Sequence, residues 1–316
     1  MNWLKWFSCS LSIFVLCYSC TKEVKIDIPG FQQQLAVNGY IETDGFPIVI
    51  LSRSQNIYAE TNLESYLQNF VYDAIVEVSD GSSSVALELM EIAALPLESR
   101  KRVAEMLRVE LDEVLLLPIK VYSTVDFSMK GVLGMSYTLS IQDQGKLFTS
   151  VTSLLAPVPL ANVSWTEDAE FTGFGRCLAL FSDPPNEDNS YKWEVKRINT
   201  LSNGQPWDII FRSSGSPYFN DEFWDGLTFE FDTRYPKKDT SLAEDLQRLY
   251  RFGDTVVIKM STVERSVFEF FDKKESQLLA SANPFSAPVN IPTNISGGCL
   301  GVWAGISPWY DTLFCQ

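Results

Sequence analysis

Histidine is absent from all 316 residues. That removes Ser-His-Asp and Cys-His catalysis, His-ligated zinc, and the side chain that ordinarily changes charge near neutral pH. Basic residues are scarce as well, 25 Lys and Arg against 40 Asp and Glu. They form no cluster, so nucleic acid is not an expected partner. Cysteine is sparse, and Cys177, Cys299 and Cys315 lack the CxxC spacing of a thiolate metal site. Neither GxxxxGK[ST] nor GxGxxG occurs to cradle phosphates, and no cofactor is expected. Beyond residue 20, every apolar run is too short or too interrupted by charge to span a bilayer.

The N-terminus holds a short apolar run behind a single charge, Lys5, and it ends at small Ser19 before Cys20. Polar Thr21, Lys22 and Glu23 follow at once. A run this short reads as a signal peptide over residues 1–19, cleaved to leave Cys20 as the acceptor of a lipid anchor. Several acyl chains, each contributing about 0.8 kcal/mol per buried methylene, would fix the chain to a membrane. Lys22-Glu23 partly matches a surface-export signal, which favours an outward-facing body over a periplasm-facing one. Losing Lys5 makes the net charge of −15 one unit more negative. Of the thiols left after acylation, Cys299 and Cys315 are the first expected disulfide, with Cys177 a buried strand cysteine.

Residues 20–32 carry charged and turn-forming residues, including Pro29 and Gly30, and read as a lipidated tether. Strand signals follow. Residues 35–41 and 47–52 flank hairpin chemistry at Thr43, Asp44 and Gly45. Residues 71–79 end at Asp80-Gly81, while Tyr137, Leu139 and Ile141 alternate with polar neighbours and turn at 143–145 into residues 147–154. Leu97, Met106, Leu111 and Val114 lie near helical spacing and predict a helical insertion. The pattern gives a mainly β protein: an immunoglobulin-like or transthyretin-like sandwich over 33–156, with that insertion. Pro157 and Pro159 mark residues 155–160 as a linker. A second β-rich domain with a few short helices is expected over 157–316, with strands at 176–181, 191–197, 208–211, 227–231 and 255–261. Its helices are expected near 241–250 and where Val267, Phe270, Phe271 and Leu278 share a face.

Three groups are candidates for chemistry. Trp207, Phe223, Trp224 and Tyr235 crowd an aromatic stretch that suits ligand or partner contact, or core packing. Asp183, Glu187 and Asp188, beside Asn189, form an oxygen-rich loop with the donors calcium prefers, although Pro184-Pro185 also makes it a simple turn. Asp221, Glu222 and Asp225 around Trp224 could supply the acid and base of a glycan hydrolase, or merely a solvated loop.

An ordered set of segments carries a family resemblance. It includes Cys20-Thr21-Lys22-Glu23-Val24, Leu35-Ala36-Val37-Asn38-Gly39-Tyr40-Ile41, Asp73-Ala74, Pro157-Val158-Pro159-Leu160 and Phe181-Ser182-Asp183-Pro184-Pro185. Phe252-Gly253-Asp254-Thr255-Val256, residues 283–288, Asn294-Ile295-Ser296-Gly297-Gly298 and Gly301-Val302-Trp303 continue it. Together they resemble the Bacteroidota outer-membrane lipoproteins grouped as domain-of-unknown-function family 4249. Cys299 and Cys315 depart from that pattern. The resemblance implies an outer-membrane companion of a TonB-dependent transporter, without established catalytic residues. Non-enzymatic help in nutrient capture or uptake is therefore the leading expectation. A structural or assembly lipoprotein without a small ligand is the alternative, and a carboxylate-dependent hydrolase the third class.

Overall fold

The apolar run at Leu35 forms strand β1 (Leu35–Glu42), which turns into β2 (Ile48–Arg53) as the hairpin signal predicts. Both faces of this hairpin are covered. Tyr40, Ile48 and Ile50 enter one apolar cluster, and Val37, Ile41, Val49 and Leu51 enter another. Burial on two sides explains why these strands read as nearly continuous apolar runs rather than alternating ones.

The structure, a computed structural model, describes residues 31–56, 62–213, 217–237, 239–281 and 290–316. The expected signal peptide, Cys20 and the 283–288 motif lie outside the described residues. The remaining strands of the central sheet are β5 (Glu88–Glu91), β6 (Lys120–Ser123), β11 (Ser190–Arg197), β12 (Tyr218–Asn220), β15 (Thr255–Val263) and β16 (Leu300–Phe314). They run in the order β12-β11-β15-β16-β1-β2-β6-β5.

Two smaller sheets pack against it. The first joins β3 (Ile75–Ser79), β4 (Ser84–Ala86), β7 (Ser136–Asp143) and β8 (Lys146–Ser153) in the order β4-β3-β7-β8. Its Val76, Val78, Leu139, Ile141 and Phe148 meet the β1–β2 hairpin. The β7–β8 turn places Gln144 and Gly145 both at positive φ, 47° and 74°, the two-residue geometry that matches strand twist. The second sheet joins β9 (Leu160–Glu167), β10 (Phe174–Ser182), β13 (Thr228–Thr233) and β14 (Tyr250–Arg251). Cys177, Ala179 and Phe181 of β10 pack on Tyr191, Trp193, Val256, Ile258 and Leu313. The architecture is mainly β and sandwich-like, as expected.

Helices cover the other face of the central sheet. The expected insertion is two helices, α2 (Leu97–Leu107) and α3 (Leu111–Leu116), split by Arg108 in the left-handed region at φ 57°. A shorter helix, α1 (Leu63–Gln68), precedes them. Val103, Ala104, Met106 and Val114 enter the core, whereas Leu97 is exposed. From α4 (Arg265–Ser281), Val267, Phe270 and Phe271 join the same cluster, and Leu278 is exposed.

Several expectations are corrected. Residues 241–250 contain a 3₁₀ turn, Glu244–Leu246, and the start of β14 rather than a helix. Residues 208–211 form no strand, and β9 begins at Leu160, inside the expected linker. The 156/157 boundary does not separate two bodies. Gln33–Gln316 is one compact unit, and strands from both sides of that boundary share the central sheet.

The join is β16. Leu300–Ile306 pairs in parallel with β1, from Ala36↔Leu300 to Glu42↔Ile306, and residues 307–314 pair antiparallel with β15. Pro308 falls just past the end of β1, where a missing N–H disturbs the ladder least. The expected Cys299–Cys315 disulfide does not form: Cys177, Cys299 and Cys315 are buried free thiols. These two flank the 15-residue β16, which at about 3.3 Å per residue separates them by roughly 50 Å. A disulfide requires Cα atoms within about 7 Å.

Candidate functional site

Strand β11 alternates. Tyr191, Trp193 and Val195 face the β10 sheet, so Lys192, Glu194 and Lys196 take the opposite side. On β15, Lys259 stands opposite Glu194 on one neighbour and opposite Tyr310 on the other. Alternation alone assigns these groups to solvent, but Arg102 and Glu105 of α2 meet them instead.

The result is a buried charge network. Lys259 Nζ donates to Glu42 Oε2 at 2.9 Å and lies 3.7 Å from Glu194 Oε2. Lys192 Nζ is 2.7 Å from Glu194 Oε1. Arg102 pairs with Glu42 and, at 3.2 Å, with Glu105, while the Tyr310 hydroxyl reaches Glu42 Oε1 at 3.4 Å. Lys259 is 1% exposed and Glu194 3%. Burial drives both carboxyls upward, but Arg102 and Lys259 overcome it at Glu42, and Lys192 and Lys259 at Glu194, holding both below the usual range. The network stays ionised because each charge has a partner within the protein.

A cavity of about 160 Å³ opens beside it. Glu105 and Met106 of α2, Arg108, Lys192, Glu194, Tyr40, Tyr218 and Lys274 of α4 contribute to its walls. Tyr218 stacks on Phe271 with centroids 4.6 Å apart and planes 3° off parallel. Burial, with Tyr218 and Glu194 adding for Tyr40 and Glu194 for Tyr218, pushes both hydroxyls well above ordinary phenol, so they remain donors. Burial, and then Arg108, pushes the Lys274 ammonium down. The segment 210–212 closes one side, where the Phe211 N–H donates to Glu105 Oε1 at 3.0 Å.

The candidates expected from sequence lie elsewhere. Trp207 and Tyr235 are brought together on buried Arg197, whose guanidinium carbon is 3.9 Å and 4.6 Å from their ring centroids. The Tyr235 hydroxyl donates to Asp208 at 2.7 Å, and Arg197 Nη1 donates to Asp254 at 2.7 Å. Trp224 packs on Phe219 and Phe229, while Phe223 is 83% exposed. The four aromatics therefore do not form one binding face.

Of the oxygen-rich loop, Asp183 meets Asp221 and Asp225, with ligand atoms all within 4.8 Å, whereas Glu187 and Asp188 are not in that group. These carboxylates lock two loops. Asp183 accepts from the Tyr191 hydroxyl at 2.6 Å and Gly226 N–H at 3.1 Å, Asp221 from Asn189 N–H at 2.6 Å, and Asp225 from Asn186 N–H at 2.8 Å. Asp188 pairs instead with Arg265, as does Glu222. Other hollows are an open depression of about 970 Å³ over β9 and β10 and an apolar groove of about 470 Å³ that shares Lys274 with the charged cavity.

Fold and cavity together define a sheet-on-sheet protein with a helix-covered polar centre. Residues 21–307 match the family model described as a domain of unknown function (DUF4249), and the chain belongs to that family. A comparison with curated proteins finds no match.

Proposed function

We propose that the protein is a lipid-anchored, non-enzymatic component of the bacterial outer membrane that helps a TonB-dependent transporter capture or admit a nutrient. The observation that carries this reading is the order of segments at the N-terminus. An apolar run ends at Cys20, and a polar stretch leads to a compact unit that starts at Gln33. Among the described residues no helix is long and apolar enough to cross a membrane. A cavity with committed and uncommitted charges supports capture of a ligand over pure scaffolding.

The test is a pull-down from mildly solubilised outer membranes with the acylated chain as bait, and a Cys20→Ser chain as comparison. The expected result is a stoichiometric TonB-dependent barrel with the acylated bait and release of Cys20→Ser to the soluble fraction. Recovery without a barrel overturns the accessory role, and membrane retention of Cys20→Ser overturns the anchor.

A further inference from the structure

The walls of the 160 Å³ cavity carry four cationic side chains, Arg108, Lys192, Arg212 and Lys274, against two carboxylates, Glu105 and Glu194. In a chain of net charge −15 that local excess runs against the composition. Three of the cations are committed: Arg108 to Glu275, Lys192 to Glu194 and Arg212 to Glu110. Lys274 has no carboxylate partner among the described residues. Its ammonium lies 5.8 Å from the ring centroids of Phe270 and Phe271. Tyr40 and Tyr218, each 7% exposed, bring their hydroxyls to the same cavity. Arg212 leaves its Nε–H, and Glu194 its Oε2, buried without a hydrogen bond.

Donors that open onto a cavity without a protein acceptor favour a ligand that accepts from them. Lys274, Tyr40 and Tyr218 all offer protons, and one uncommitted positive charge matches one negative charge. The stacked Tyr218–Phe271 pair, Ile210 and Met106 give the cavity an apolar side as well. Its volume equals about five waters at roughly 30 Å³ each, well below an ordinary drug-sized pocket.

We propose that this cavity binds a small monocarboxylate, no larger than a small free amino acid. Lys274 and the tyrosine hydroxyls take the carboxylate, and the carbon part lies against the Tyr218–Phe271 pair. A phosphate dianion fits less well, since it brings a second negative charge that no free cation balances. The inference deepens the capture reading by naming the ligand class, and it is tested on the purified chain without any transporter.

The experiment is thermal denaturation of the full acylated chain in detergent with acetate, propionate or L-alanine, and inorganic phosphate for comparison. A ligand that binds only the folded chain raises the melting temperature in a saturable way. At least one carboxylate is expected to do so, and phosphate is not. Lys274→Met is expected to weaken that binding roughly tenfold to a hundredfold, the range for loss of a charge-assisted hydrogen bond. Tyr218→Phe, which keeps the stacked ring, is expected to weaken it several-fold and covers a fold defect in the first variant. No saturable shift up to millimolar probe, phosphate binding as tightly as the carboxylates, or unchanged binding in both variants overturns the proposal. Lys274→Met is expected to keep the barrel in the pull-down, so loss of ligand and loss of partner are read separately.

Discussion

Glu42 links three elements, accepting from Lys259 on β15 and Tyr310 on β16 and pairing with Arg102 on α2. Replacing it by Gln leaves Lys259 and Arg102 with less compensation in a buried setting. Loss of one partner of a buried pair costs about 3–5 kcal/mol, and urea unfolding of Glu42→Gln should show a loss in that range. The network also sets a pH dependence. The Glu42 and Glu194 carboxyls are depressed in the folded chain, so their stabilisation is complete above the ordinary carboxylate value, near pH 4.3. It is lost as pH falls below that. Glu42→Gln should therefore flatten the fall in melting temperature between about pH 5 and pH 3; an equally steep fall would remove Glu42 from the acid response. The sequence hints at such a site in one place. Lys259 interrupts the apolar run of β15, and a lone lysine in a strand buried on both faces needs a partner. Its partners, Glu42 and Glu194, come from β1 and β11, positions that no local pattern brings together.

Among the elements, hairpins and alternating strands were the most legible, because turn residues and the two-residue period are local signals. The turn at Gln144-Gly145 and the alternation of β7 needed nothing distant. β16 was hidden by Gly301, Gly305 and Pro308, which punctuate it as a loop would. The glycines have a tertiary reason. Gly301 sits at φ 109°, and a Cβ there would overlap the Val37 carbonyl of β1. Gly301→Ala should cost roughly 2–5 kcal/mol from strain and overpacking together, read by denaturant midpoint. A loss under about 0.5 kcal/mol would mean that β1 can move aside. The thiols give a second check at this scale. Burial pushes Cys177 and Cys315 to about 12 and Cys299 to about 11. Native protein should resist alkylation, and denaturation should make Cys177, Cys299 and Cys315, three thiols, reactive. One thiol instead of three would restore a disulfide.

At the scale of the whole molecule, the sandwich expected over 33–156 and the β-rich domain expected after it correspond to two apolar clusters only in part, since Ile295, Cys299 and Trp303 join the first, and strands from both regions share one sheet. Composition and proline spacing at 157–159 mark the change of cluster but say nothing of a strand that bridges it. A shared sheet ties their stabilities, so residues 33–316 should unfold in a single transition whose calorimetric and van't Hoff enthalpies agree. Two resolved transitions would show that the fused strands act independently.

The parallel pairing of β1 with β16 also bears on when the chain can fold. Ala36 waits for Leu300 and Glu42 for Ile306, partners separated by most of the sequence. Contacts this distant slow folding, because the loop between them must close before they reward it. During synthesis, the first hairpin therefore stays without its central neighbour until residues 300–306 have emerged. Under the proposal that the chain is exported, that delay would keep its earliest strands from locking the core before passage through a membrane.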